Sequence, residues 1–259
     1  MIFKKYRNFI FDLDGTIYKG ESFIDGAIET INTIKGFADK VIFVSNKTTD
    51  LPEEYYYLLK SAGANVDEAD FITSSMVIKN FLIKNYVGKN FFSISEQKFI
   101  DYISKSGLHY TSLFDKVDIV IITLDRTFNF NKLEIAAKAI ENGARFFAAN
   151  IDDTCPVERG EITDAGSIIS ALEKRTHKKL ELHFGKPSVF MQDFIKSKFN
   201  GNLDNTLLIG DRINTDIFMA NQMKIDSALV STGIKNYEYD SPQYHPTYRL
   251  NSVVDLIKW

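Results

Sequence analysis

The chain has 259 residues, enough for one large or two modest domains. Hydrophobic residues make up 44% of the chain and charged residues 25%, as in ordinary globular proteins, and a net charge of −3 argues against a general nucleic-acid-binding protein. No apolar run approaches the roughly 20 residues that span a bilayer, and Cys155 is the only cysteine, so we expect a cytoplasmic protein in which Cys155 is a bystander.

Apolar runs alternate with helical patterns almost from end to end, which indicates a parallel sheet covered by helices. In the first part of the chain, strands are predicted at residues 8–12, 40–45 and 71–73. Helices are predicted between and after them, at residues 25–37, 53–62 and 74–86.

From about residue 87 the alternation restarts as a set large enough to hold a small core of its own. Its predicted strands are 91–94, 118–124 and 145–149, and its predicted helices are 96–106, 131–142 and 165–176. The alternation seen in the first part of the chain then returns, with predicted strands at 180–184, 206–209 and 227–230 and predicted helices at 188–199, 215–223 and 252–257. Residues 237–248, rich in tyrosine, are expected to form a surface loop.

Four polar motifs each follow a predicted strand. The first is Asp12-Leu-Asp14-Gly15-Thr16, and the others are Ser45-Asn46, Gly185-Lys186-Pro187 and Gly210-Asp211-Arg212 with Thr215-Asp216 beyond it. Open α/β sheets bind ligands at the carboxyl ends of their strands, so the motifs are expected to meet there. Two carboxylates after a buried strand stay ionised only beside a metal or another cation.

In this combination the sequence resembles the haloacid dehalogenase-like superfamily of phosphohydrolases, within it the NagD-type or p-nitrophenylphosphatase-like branch. The resemblance extends into the middle of the chain through Thr123-Leu-Asp125, Phe128, Asn150-Ile-Asp152 and Gly166-Ser167-Ile168. It implies an α/β fold with a Rossmann-like parallel-sheet core, residues 1–80 and 180–259, and an inserted smaller α/β cap domain, residues 81–179. The long stretch between Asn46 and Lys186 agrees with such an insertion, since one crossover helix needs far fewer residues.

The resemblance also implies roles for the core motifs. Asp12 would attack phosphorus and form an aspartyl-phosphate, and Asp14 would protonate the leaving group. Lys186 would neutralise Asp12 and the phosphoryl oxygens, which Ser45 and the backbone amide of Asn46 would also bind. Because a halide needs no protonation, Asp14 favours phosphate esters over carbon–halogen bonds.

By the same resemblance the expected cofactor is Mg²⁺, since all-oxygen ligands suit that ion. Asp12 and Asp211 would bind it through their carboxylates and Asp14 through its backbone carbonyl. Asp216 would hold a metal-bound water or orient Asp211.

In the cap, Asn150 and Asp152 match the substrate-facing stretch of the family, although a plain polar surface turn is the alternative. Lys47 stands where the family usually has a second asparagine. We expect its side chain to point into solvent, and a contact with a second anionic group on the substrate is the other reading.

The sequence therefore predicts a Mg²⁺-dependent phosphatase of small phosphomonoesters, in first place sugar phosphates. The alternatives are a phosphatase of nucleotides or pyridoxal phosphate, and a non-catalytic phosphometabolite-binding protein. The expected partner is a small phosphorylated metabolite, with no nucleic acid and no membrane, and a homodimer through the cap is a further expectation.

Overall fold

The computed structural model describes residues 2–157, 160–234 and 244–258. The strands are β1 (Asn8–Asp12), β2 (Tyr18–Lys19), β3 (Ser22–Phe23), β4 (Lys40–Ser45), β5 (Phe71–Thr73), β6 (Asn90–Ile94), β7 (His109–Tyr110), β8 (Ile119–Ile122), β9 (Arg145–Ala148), β10 (Thr154–Val157), β11 (Gly160–Thr163), β12 (Leu182–His183), β13 (Thr206–Gly210), β14 (Asp226–Val230) and β15 (Tyr248–Leu250). The α-helices are α1 (Ala27–Lys35), α2 (Pro52–Ser61), α3 (Ser74–Asn85), α4 (Gln97–Ser104), α5 (Phe130–Glu141), α6 (Ala165–Thr176), α7 (Val189–Lys198), α8 (Phe218–Met223) and α9 (Asp255–Lys258).

The core domain is built on a six-stranded sheet in the order β15-β14-β13-β1-β4-β5. All neighbouring strands in it are parallel. The central strands are buried along almost their whole length because helices cover both faces. The predicted α/β fold with a parallel-sheet core is confirmed.

The cap contains a second parallel sheet in the order β12-β9-β8-β6-β7. On one face it shares an apolar cluster with α5 and α6, to which Val120, Ile122 and Phe146 contribute. On the other face, Phe91, Ile121 and Phe147 belong to a cluster that also holds residues of the core sheet. The two sheets are therefore joined through a shared apolar layer, to which α3 and α7 contribute.

Strand β12 belongs to the second sheet, where Leu182 pairs with Phe147, whereas the sequence analysis placed residues 180–184 with the core. The other predicted boundary, between residues 80 and 81, falls inside the continuous helix α3. The domain bounds stay a prediction. The chain passes from the core sheet to the cap sheet through α3 and leaves the cap sheet after β12, and both elements pack on the shared apolar layer.

Four short features were not predicted from the sequence. They are the hairpins β2–β3 and β10–β11 and the strands β7 and β15. Strands β2, β3, β7 and β15 have only two or three residues, too short to show a period-2 pattern. Strands β10 and β11 have four residues each, and Pro156 within β10 argues against a strand in the sequence. Of the predicted loop 237–248, residues 237–243 lie outside the described residues, and Tyr248 begins β15 rather than ending a loop. In the described part of the chain no helix is both long and apolar enough to cross a membrane.

Candidate active site

Three adjacent strands of the core sheet bring three of the sequence motifs to one edge. Asp12 ends β1, Ser45 ends β4, and Asp211 follows directly after β13. Strands β4 and β13 pair with β1 on its two sides, and all three run in the same direction. Their carboxyl ends therefore meet, as the sequence predicted.

Lys186 reaches this edge from the other sheet, since it follows β12. Its ammonium contacts Asp12 Oδ1 and lies 2.7 Å from Asp216 Oδ1. Lys186 is 3% exposed, so this cation is held almost wholly by protein carboxylates. Burial alone would lower the pKa of Lys186, but the attraction of Asp12 and Asp216 outweighs it and raises that pKa.

Carboxylate oxygens of Asp12, Asp211 and Asp216 lie within 4.8 Å of one another, and all three residues are buried. Burial raises the pKa of Asp12 despite the opposing effect of Lys186, while burial and then Asp216 raise the pKa of Asp211 to about 7. Nearby, the buried hydroxyl of Thr215 has no hydrogen-bond partner among the described residues. An excess of buried carboxylates over lysine, with all-oxygen donors, fits a hard divalent cation such as Mg²⁺.

Both carboxylate oxygens of Asp216 contact protein donors. Oδ1 accepts from Lys186 and Oδ2 accepts from the backbone N–H of Arg212 at 3.2 Å. This arrangement is compatible with the orienting role expected for Asp216. The expected contribution of the Asp14 backbone carbonyl to a metal stays a prediction.

The carboxylate of Asp14 lies to one side of the cluster among three donors. The hydroxyl groups of Tyr18 and Ser45 lie 3.1 Å and 3.4 Å from Asp14 Oδ2. Lys47 Nζ lies 3.4 Å from Asp14 Oδ1 and 3.6 Å from Asp50 Oδ2, with its side chain 22% exposed. The expectation that Lys47 points into solvent is wrong, because two carboxylates from separate turns of the chain hold its ammonium inside the site.

Sequence reasoning missed the loop after β14, which holds Asp211 and the first motif together. The backbone N–H of Ile234 donates to Asp211 Oδ2 at 2.8 Å, and the hydroxyl of Thr232 donates to the carbonyl of Gly15 at 2.6 Å. Gly233 lies so close to Asp211 that a Cβ on it would be 1.8 Å from Oδ2. The sequence did contain a signal for this loop. Strand β14 lies next to β13 and runs parallel to it, so the loop that follows β14 begins at the same edge of the sheet as the other motifs.

Asn46 connects the core to the cap. Its side-chain amide donates to Asp152 Oδ2 at 2.8 Å, and its Oδ1 accepts from the backbone N–H of Lys186 at 2.6 Å. From the opposite side, Arg212 donates to the carbonyl of Thr154 at 2.7 Å and lies 3.6 Å from Asp152 Oδ1. These contacts hold the hairpin β10–β11 over the carboxylate cluster.

Asn150 is 1% exposed and donates to Asp152 and to Asp164 at 3.3 Å and 3.0 Å. Asp152 and Asp164 line the pocket that also contains Asp12 and Lys186. Asn150 thus orients two carboxylates that face the pocket, and a direct contact of Asn150 or Asp152 with substrate stays a prediction.

Cys155, expected to be a bystander, lines both this pocket and a neighbouring open cleft of about 650 Å³. Burial, and then the charge of Asp14, raise the pKa of its thiol to about 12, so it is not a thiolate nucleophile near neutral pH. Cys155 therefore contributes surface to the site rather than reactivity.

Comparison with known proteins places this geometry among phosphatases. The pattern described as haloacid dehalogenase-like hydrolase matches residues 9–109, and a related HAD-hydrolase-like pattern matches residues 183–256. A sugar-phosphatase of Bacillus subtilis, AraL, is 32% identical over 249 residues, which are 96% of this chain and 91% of that protein.

Two solved structures extend the likeness to the whole fold. A 4-nitrophenylphosphatase from Thermotoga maritima has a TM-score of 0.87 and 26% identity, covering 100% of this chain and 99% of that one. A glycerol phosphate phosphatase from Mycobacterium tuberculosis, in complex with magnesium, has a TM-score of 0.84 and 27% identity, covering 98% and 77%. The likeness to p-nitrophenylphosphatases expected from the sequence is confirmed.

Proposed function

Since this chain belongs to the haloacid dehalogenase-like hydrolases and is a phosphoric monoester hydrolase of that family, we propose that it hydrolyses small phosphomonoesters with Mg²⁺ through an aspartyl-phosphate. The observation that carries the proposal is the contact of Lys186 with Asp12 beside Asp211 and Asp216. A carboxylate held between a cation and a metal-binding cluster is placed to act as a nucleophile toward a phosphoryl group.

In this proposal Asp12 bonds to phosphorus as the bond to the alcohol oxygen breaks. The hydroxyl of Thr16 donates to Asp12 Oδ2 at 3.0 Å and limits rotation of the carboxylate. Lys186 offsets the negative charge on the nucleophile and the transferring oxygens. Asp14 donates its proton to the departing alkoxide and then accepts one from the water that hydrolyses the aspartyl-phosphate.

Asp12 and Asp211 would hold the metal, with Asp216 beside them. When bound, Mg²⁺ supplies positive charge that stabilises the phosphoryl oxygens. The buried oxygen cluster and the magnesium complex of the Mycobacterium tuberculosis neighbour support this choice of ion.

Sugar phosphates are our first choice of substrate class, supported by the Bacillus subtilis sugar-phosphatase. Relative kcat/KM on sugar phosphates, nucleoside monophosphates and pyridoxal phosphate tests the choice. Highest values on one of the last two classes would replace it.

The expected homodimer through the cap also stays a proposal. The cap exposes several large apolar side chains, among them Leu113 at 63% and Phe130 at 76%. Such surface is compatible with a partner subunit.

The mechanism is tested with p-nitrophenyl phosphate. Wild-type protein should hydrolyse it with Mg²⁺ and not after chelation, and Asp12→Asn should abolish turnover because an amide cannot form the acyl phosphate. The matched control is Asp193→Asn, which makes the same exchange on a side chain 67% exposed on α7. Turnover retained by Asp12→Asn would exclude Asp12 as the nucleophile.

A further inference from the structure

The open cleft next to the phosphate pocket is the place for the alcohol part of the substrate. It lies between the hairpin β2–β3 and α2 of the core and the hairpin β10–β11 of the cap, and Lys47 and Cys155 line both spaces. Its volume of about 650 Å³ is within the usual range for small-molecule sites. In the proposed function Asp14 protonates the leaving alcohol, so that alcohol lies beside Asp14. Lys47 contacts Asp14 and also lines the cleft, which places the alcohol part of the substrate on the cleft side of Asp14.

Two cations line the cleft, and both are already paired. Lys47 lies between Asp14 and Asp50, at 3.4 Å and 3.6 Å. Arg126 donates to the two carboxylate oxygens of Glu96, at 2.6 Å from Nε and 3.0 Å from Nη2. A second anionic group on a substrate would have to compete with a protein carboxylate for either cation.

The same walls carry an excess of carboxylates. Glu21, Asp50 and Glu54 line the cleft, and only Asp50 and Glu54 share a further cation, Lys98, at 3.5 Å and 2.8 Å. Carboxylates accept hydrogen bonds from hydroxyl groups but repel carboxylates and phosphates.

The remaining lining is largely apolar or aromatic. Tyr18, Phe23 and Tyr55 contribute from the core, and Pro156 and Ile162 from the cap. Apolar and aromatic side chains of this kind pack against the carbon skeleton of a ligand while a few polar groups set its orientation.

Building on the proposed function, we infer that the cleft selects phosphomonoesters whose alcohol part bears hydroxyl groups and no second anionic group. Asp50 is the specificity-determining residue in this inference, because it holds the ammonium of Lys47 away from an incoming anion and adds a like charge itself. Sugar and polyol monophosphates satisfy this requirement, whereas bisphosphates and phosphorylated carboxylic acids do not.

Two esters of nearly equal size test the inference. In sn-glycerol 3-phosphate the group farthest from phosphorus is a hydroxymethyl, and in 3-phosphoglycerate it is a carboxylate. For the wild type we expect kcat/KM to be at least about tenfold higher for the glycerol ester, a typical size for one uncompensated charge near a protein surface. In Asp50→Asn the repelling carboxylate is removed and Lys47 is paired with Asp14 alone. Because both changes favour the anionic ester, this ratio should fall about fivefold.

The control is again Asp193→Asn, whose like change in charge on α7 should leave the ratio unaltered. Three outcomes would overturn the inference and leave phosphatase function intact: a wild-type ratio near one, a ratio unchanged in Asp50→Asn, or hydrolysis of p-nitrophenyl phosphate without hydrolysis of either sn-glycerol 3-phosphate or 3-phosphoglycerate. Failure of the wild type to hydrolyse p-nitrophenyl phosphate would instead refute the proposed function, and this inference with it.

Discussion

Replacing Gly233 by alanine should disable the site from outside the four sequence motifs. An added Cβ would lie 1.8 Å from Asp211 Oδ2 and 2.4 Å from its Cγ, whereas real Cβ contacts essentially never fall below 3.0 Å. The Asp211 carboxylate must therefore retreat by more than about 1 Å to reach van der Waals distance. The backbone of Gly233 is not in the left-handed region, so the clash, rather than backbone strain, is the cause.

A displacement of about 1 Å at a catalytic group can cost roughly 100-fold in rate. We expect Gly233→Ala to lower kcat/KM for p-nitrophenyl phosphate by about that factor and to raise the Mg²⁺ concentration needed for half-maximal rate. The assay is initial rate against Mg²⁺ concentration, with the melting temperature of each protein recorded alongside.

Gly36→Ala is the matched control, because Gly36 has φ −69° at the end of α1 and its added Cβ would lie 3.2 Å from the carbonyl of Thr33. It should keep the wild-type rate and metal requirement. A Gly233→Ala protein with wild-type rate and wild-type Mg²⁺ dependence would show that the loop after β14 does not position Asp211.

Two further changes test the buried charges. Lys186→Met leaves Asp12 and Asp216 without their shared cation, so we expect loss of turnover and a free energy of unfolding lower by about 3 kcal/mol in the absence of metal, measured by urea denaturation. Burial, and then Asp152, raise the pKa of Asp164 from 3.8 to about 7, so its contribution to stability is present below the lower value and is lost as pH rises through the higher one. The side chain of Asp164→Asn cannot ionise, so the melting temperature of this variant minus that of the wild type should increase from about pH 5 to about pH 8. A difference in melting temperature that stays constant over this range would contradict the assignment.

Much of the core could be predicted because its signals are local. Strand β1 has the predicted bounds, and so does β4, since short apolar runs bounded by polar residues leave little choice of strand ends. Parallel strands expose their carboxyl ends at a common edge, so Asp12, Ser45 and Asp211 were correctly expected to converge.

Features that depend on pairing between distant segments were beyond the sequence. Residues 180–184 read as one more core strand, yet β12 pairs with β9 in the cap sheet, because an isolated apolar run does not specify which sheet edge it joins. Lys47 follows a polar turn and reads as solvent-exposed, but the fold places Asp14 and Asp50 around its ammonium.

The sequence by itself determined the chemical groups of this site, since Asp12, Asp14, Lys186 and Asp211 are recognisable from their types, spacing and positions after apolar runs. Only the tertiary structure decided how they are held. Lys186 enters from the cap sheet, and Gly233 packs on Asp211 from the next strand. The fold also pairs both cations that line the cleft with protein carboxylates, Lys47 with Asp50 and Arg126 with Glu96. Hydrogen bonds and ion pairs between distant segments form only once the two sheets have packed, so no local sequence pattern predicts them.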